Sequence, residues 1–208
     1  MHYSKNTTKG MTLIESIVSI VVLTTAITGP MILASQSLKA SRDARAELVA
    51  THLAEEAIEV VSSIRENNSA DDPTATRDLW MKQNGVQNII NLCGGNGCVI
   101  DVTSRVGSEW GLGALIPTSS CTPGGYDCSQ VYVSSSSGLY RQFGSALPSS
   151  SWEKTPYKRS VKIVGVDAGV NSLQHVRVVS TVTYPSFTGN IYSVTLNEDF
   201  YNWFPALH

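Results

Sequence analysis

Between Ser16 and Leu38 the chain carries no Asp, Glu, Lys or Arg, and a single carboxylate, Glu15, stands at the head of that apolar stretch. From Leu13 to Leu33 the segment is long enough to cross a bilayer as a helix, since the hydrocarbon core needs roughly 20 apolar residues at about 1.5 Å rise each. An ionised side chain inside such a span costs on the order of 2.5–3.5 kcal/mol at mid-depth and less near the interface. A carboxylate kept in that position therefore calls for an opposite charge.

An ordinary secretory signal fits poorly. Its apolar core runs for roughly 7–15 residues and ends in a small-x-small cleavage site. The apolar core here is longer, and Ile32-Leu33-Ala34-Ser35 is a poor site. A plain single-pass anchor fits the length, but it leaves the residues around Glu15 unexplained.

Those residues are Lys9-Gly10 followed by Met11-Thr12-Leu13-Ile14-Glu15 and an unbroken apolar run. The arrangement resembles the prepilin signature of the type IV pilin and pseudopilin family. The resemblance implies that a membrane-embedded prepilin peptidase cuts after Gly10 on the cytoplasmic face, that Met11 becomes the N-terminus and is N-methylated, and that Glu15 serves subunit assembly by meeting the Met11 ammonium of a neighbour. Many members begin the mature chain with phenylalanine, where this sequence has Met11. The stem segment Leu53 to Asn67 is also similar to that of minor pilins known as pilus modification proteins. Glycine lacks a Cβ, so Gly10 lets a backbone approach a catalytic site closely.

Positive charge leaves the topology open. Lys5 and Lys9 precede the span, while Lys39, Arg42 and Arg45 follow it closely, within the range over which the positive-inside bias is counted. The resemblance implies an N-terminus in the cytoplasm, and the cysteines point the same way. Cys93 and Cys98, and Cys121 and Cys128, form two close pairs in glycine-rich stretches, which reads as local disulfides in an oxidising compartment. Four cysteines permit other connectivities, and nearest-neighbour pairing is the expectation. Zinc is the alternative, but Cys93 to Cys98 lies at the wide edge of ligand spacing and Cys121 to Cys128 beyond it.

With 208 residues and a net charge of −2, the chain accommodates one membrane helix and one domain of ordinary size. Charged residues make up 15%, below the roughly 25% of typical soluble proteins, and the balance argues against a general nucleic-acid binder. The basic cluster Lys154, Lys158, Arg159 and Lys162 is the one feature that favours a DNA-binding pilin.

The helical pattern continues past the span. Leu38, Val49, Leu53, Ala57, Val60, Val61 and Ile64 keep one apolar stripe, and Thr51, Glu55, Glu59, Ser62 and Glu66 fall opposite, the signature of an amphipathic helix. Asn67-Asn68-Ser69 with Asp71-Asp72-Pro73 supplies its stop. Gly29-Pro30 predicts a kink or local unwinding, because proline lacks the backbone donor and clashes with the preceding turn. The three glutamates read as a solvated face and His52 as a packed or surface histidine.

Strand signals follow: Val99–Val106, Gln130–Val133, Leu139–Phe143, Lys158–Val166, and a hairpin of His175–Tyr184 with Ile191–Leu196. Val176, Val178, Val182 and Tyr184 alternate with Arg177, Val179, Thr181 and Thr183. An apolar sheet face needs a cover, and the stripe from Leu48 to Ile64 supplies it. The aromatic tail Phe200-Tyr201-Asn202-Trp203-Phe204-Pro205 is expected to dock on the sheet. The expected fold is α+β, a long N-terminal helix packed on an antiparallel β-sheet, as the resemblance also implies. Its parts are a leader (1–10), a transmembrane and filament-core helix (11–37), the amphipathic half of the helix (38–68) and a β-rich head (69–208).

No catalytic constellation stands out. His2, His52, His175 and His208 are scattered, and Gly94-Gly95 and Gly124-Gly125 lack the lysine and strand-to-helix context of a phosphate loop. No enzyme activity, metal or cofactor is expected. The expectation is a structural subunit, pilin or minor pilin, held as a single-pass prepilin in the inner membrane and then polymerised into an extracellular filament. Its partners would be membrane lipid, the peptidase, the pilus assembly machinery, other pilin subunits, and a surface, glycan or DNA ligand. Adhesion, twitching motility, DNA uptake or secretion would follow. The rival is a membrane-anchored binding module that does not polymerise.

Overall fold

A computed structural model describes residues 10, 12–71, 80–83, 87–102, 114–121, 127–144, 150–166 and 175–202. The chain divides into two compact units, Met1–Ala44 and Arg45–His208. Helix α1 (Leu13–Asp71) begins in the first and ends in the second, so residues 45–68 of the expected amphipathic half, 38–68, belong with the sheet they cover.

In the first unit the helix carries no charge from Ser16 to Leu38. Leu13, Ile17, Ile20, Leu23, Ile27 and Ile32 are all more than half exposed, the pattern of a helix that needs an apolar surrounding from outside its own chain. Its hydroxyls are satisfied internally: Thr25 and Thr28 donate to Val21 and Thr24 carbonyls at 2.9 and 3.0 Å, and Ser35 donates to Ile32 at 2.8 Å. Such back-bonding gives these hydroxyls a partner within the helix itself. Helical assignment is continuous through Gly29 and Pro30, so of the kink or local unwinding expected there, the unwinding does not occur. The proline removes one ladder bond, and the turns on either side hold the helix.

In the second unit the remainder of α1 lies on a seven-stranded antiparallel sheet. The elements between are β1 (Lys82–Gln83), β2 (Gln87–Asn88), α2 (Ile89–Cys93), β3 (Cys98–Asp101), β4 (Ala114–Pro117), β5 (Gln130–Ser134), β6 (Tyr140–Arg141), β7 (Trp152–Gly165), β8 (His175–Pro185) and β9 (Ile191–Tyr201). Strands β1 and β2 form a separate ladder. The long β7 changes neighbours along its length, pairing with β5 near its start and with β3 at Val161, while β8 flanks its other edge and β9 pairs with β8.

The hairpin forms as expected, with His175 opposite Tyr201 and Pro185 opposite Ile191. Val176, Val178, Val182 and Tyr184 are buried. The α1 stripe covers them in two clusters: Ala50, Leu53 and Ala54 pack near Tyr157, Val182 and Tyr184, and Ala57, Val61 and Ile64 pack near Ile163, Val176 and Phe200. Leu38 and Leu48, expected on the stripe, are exposed. Of the tail, Phe200 is buried in the core and Tyr201 ends β9; residues 203–205 lie outside the described set.

Strand β7 starts at Trp152, earlier than expected, and runs through Pro156. Three of its residues, Thr155, Pro156 and Tyr157, stand where β5 supplies only Val131. Proline has no N–H to give a ladder, and a bulge is where it is tolerated. Gln130 Nε2 donates to the Thr155 and Tyr157 carbonyls, and Thr155 Oγ1 donates to the Val131 carbonyl. The strand expected over 99–106 ends at Asp101, with 103–113 outside the described residues, and that expected over 139–143 is Tyr140–Arg141. Helix α2 and strand β4 carry too few residues for a periodic signal. Asn88 caps α2 by accepting from the Ile90 N–H at 2.9 Å.

Candidate assembly site

Glu15 lies in the first turn of α1, exposed, two residues inside the helix start at Leu13. The unsatisfied N–H groups of that turn and the positive end of the helix dipole favour a negative charge there. Among the described residues no cation lies within ion-pairing distance of it; Lys39 is the first basic residue along the helix. Gly10 is exposed with open space around its Cα. Met11, the expected new N-terminus and methylation site, lies outside the described residues. The helix is long and apolar enough to cross a membrane, and none of its most apolar window is buried within the molecule.

The head is fastened to its helix by a buried cation. Arg159 is fully buried; it donates Nη1 to the Glu56 carboxylate and, at 2.9 Å, to the Leu53 carbonyl, and Nε to Gln142 Oε1 at 2.9 Å. Gln142 in turn accepts from the Ile100 N–H and donates to the Ser129 and Arg159 carbonyls. Burial draws the Arg159 guanidinium below its ordinary value, against the opposing pull of the Glu56 charge.

This arrangement breaks up the basic cluster seen in the sequence. Arg159 points into the core, Lys158 pairs with Asp127 at 2.8 Å, and Lys154 and Lys162 stand apart on the outer surface. Alternation along β7 could have revealed it, because Arg159 shares the inward parity of Tyr157, Val161 and Ile163. Glu56 was missed because it borders the apolar stripe, away from the outward glutamates.

Glu55, Glu59 and Glu66 are exposed, as a solvated face requires, and His52 pairs with Glu55 at 3.1 Å. His175 stacks on Tyr201 with ring centroids 4.4 Å apart and lies 3.3 Å from Asp199. His2 and His208 lie outside the described residues, as do Gly124 and Gly125. Disulfides join Cys93 to Cys98 and Cys121 to Cys128. The first ties the end of α2 to the start of β3 inside the core, where both sulfurs are buried. Gly97 makes that closure with φ of 82°; a Cβ there would stand 2.9 Å from the Val161 carbonyl.

The described residues define an α+β protein with one helix long and apolar enough to span a bilayer and a disulfide-bonded, β-rich head. No protein-family model, curated protein or solved structure matches the chain.

Proposed function

We propose that the chain is a type IV pilin-like structural subunit, with the stem of a minor pilin. It is held in the inner membrane with its N-terminus inside, cut after Gly10 by a prepilin peptidase and assembled into an extracellular filament. The observation that carries this reading is Glu15, the one charge before Lys39 on a helix that buries none of its most apolar window within its own protein. Cutting after Gly10 would make a cation of Met11, four residues before the acid. In an apolar filament core the Met11 ammonium of one subunit and the Glu15 carboxylate of the next would fix the axial register, since either charge alone there is strongly unfavourable.

The driving force is hydrophobic. Helix α1 withdrawn from lipid exposes apolar surface at about 25 cal/mol per Å², and helix-against-helix burial removes it from water. The head, closed by two disulfides, would face outward and carry the contacts that serve adhesion, motility, DNA uptake or secretion.

Glu15→Ala tests the proposal. The expected result is normal membrane insertion with lost or strongly reduced recovery in surface filaments. Unchanged surface function with no filament in either protein favours a non-polymerising anchored module.

A further inference from the structure

We infer that the hairpin end of the head rests in the interfacial zone of the bilayer from which the apolar helix emerges, giving the membrane-held subunit a second lipid contact. This rests on the membrane reading of α1. Several of the large apolar side chains exposed on the second unit gather at one end. The β8–β9 turn presents Phe187 at 53% exposure, Ile191 at 78% and Tyr192 at 50%, and the turn between β5 and β6 adds Leu139. The turn is a built one: the Ser186 N–H donates to the Asn190 carbonyl at 2.7 Å, and the Gly189 N–H donates to Ser186 at 2.9 Å with Gly189 at φ 87°.

Register identifies that end. Tyr184 and Val182 pack in the cluster that holds Ala50, with Ala46 and Val49 at its margin, whereas Val176 and Phe200 pack with Ala57 to Ile64. The turn after Pro185 therefore lies at the end of the unit where the chain comes in at Arg45. Leu48, 57% exposed, is at that end too. From Leu38, the last residue of the uncharged segment, to Arg45 is seven residues, which even fully extended span no more than about 25 Å.

Exposed apolar side chains held that close to a bilayer by their own tether have a lipid surface as their standing neighbour. Aromatic and aliphatic tips with hydroxyl partners suit the headgroup boundary. Exposed Lys154 and Glu153 lie side by side on β7 at the same end, so charge does not select the lipid, and zwitterionic membranes suffice.

The test uses the full chain in phosphatidylcholine vesicles, with one added cysteine carrying an environment-sensitive fluorophore, the native cysteines being disulfide-bonded. Asn190→Cys places the label at the turn, and Val166→Cys places it at the opposite end. Nitroxide lipids should quench the Asn190 label several-fold more than the Val166 label. Adding Phe187→Ser with Ile191→Ser should bring the Asn190 label down to the Val166 level while the disulfides and circular dichroism stay unchanged. Equal quenching at both sites, in chains that resist carbonate extraction, overturns the inference but leaves the membrane reading intact. Loss of the chain to carbonate sinks the membrane reading itself. Shielding of the Asn190 label only in assembled fibres would make this end a subunit contact and also overturn the inference.

Discussion

Arg159 at the centre of β7 and Glu56 on α1, separated by 103 residues, form an ion pair in which the guanidinium is wholly buried. One helix face and one strand are thereby fixed in a single register, with the Leu53 carbonyl, Gln142 Oε1 and the Ile100 carbonyl also accepting from the guanidinium. Removing one partner of a buried pair leaves an uncompensated group in a medium that solvates it poorly.

Glu56→Ala, which leaves the wholly buried guanidinium without its counter-charge, should therefore cost about 3–5 kcal/mol, while Arg159→Met combined with Glu56→Leu should cost far less, because both charges leave together. Denaturant unfolding of the detergent-solubilised chain reads the difference. Equal losses in the two variants would mean that packing of the two side chains, not the pairing of their charges, holds the helix.

Ser180 is buried in mid-strand, between the two apolar clusters, and its hydroxyl has no hydrogen-bond partner among the described residues. An orphaned buried hydroxyl costs on the order of 1 kcal/mol or more, so Ser180→Ala should stabilise the head by about 1 kcal/mol. A fall in the unfolding midpoint would mean that the hydroxyl has a partner.

The Cys93–Cys98 bridge lies within the core. Closing so short a loop constrains the unfolded chain by about 2–3 kcal/mol. Replacing both cysteines by serine should cost at least that, since polar groups would then occupy buried sites. The Cys121–Cys128 bridge, whose Cys121 end is partly exposed, should cost less. Unfolding of the two double variants, compared with reduction of the unmodified chain, ranks them, and the reverse order would refute the assignment.

Acid should weaken the head through its paired aspartates. The hydrogen bond from Arg177 holds the Asp199 carboxyl below its ordinary value, despite some burial. For Asp127 burial is the largest single influence and raises the value, but bonds from Lys158 and Ser129 together outweigh it and leave the carboxyl lowered. A carboxyl more acidic in the folded chain is protonated first in the unfolded one. Its contribution is complete above the unfolded value of about 4 and is lost as the pH falls through the folded value. The thermal midpoint should hold level from neutrality to about pH 5 and drop below pH 4, with a shallower drop in Asp199→Asn. Parallel curves would exclude the Arg177 pair as a contributor.

The helix and the hairpin were legible because periodicity carries them: one apolar stripe from Val49 to Ile64, and strict alternation from Val176 to Tyr184. What escaped was non-periodic. Pro156 hid the first half of β7, since the compensating bulge against Val131 and the Gln130 bonds are tertiary facts. Arg159 read as part of a basic cluster because Lys154, Lys158 and Lys162 lie close to it in sequence, while its partner lies a hundred residues away. The candidate site was legible only as a pattern of Gly10, Met11 and Glu15; among the described residues no cation stands beside Glu15, and the proposed partner, in another copy of the chain, is not something one sequence or one chain displays.

The most direct measurement is mass spectrometry of the N-terminus of this protein taken from purified surface filaments. The account predicts a chain that begins at Met11, carries one added methyl group on its amine, and is present in the fibre. Recovery solely in membranes, with residues 1–10 still attached and no copy in any filament, would contradict it.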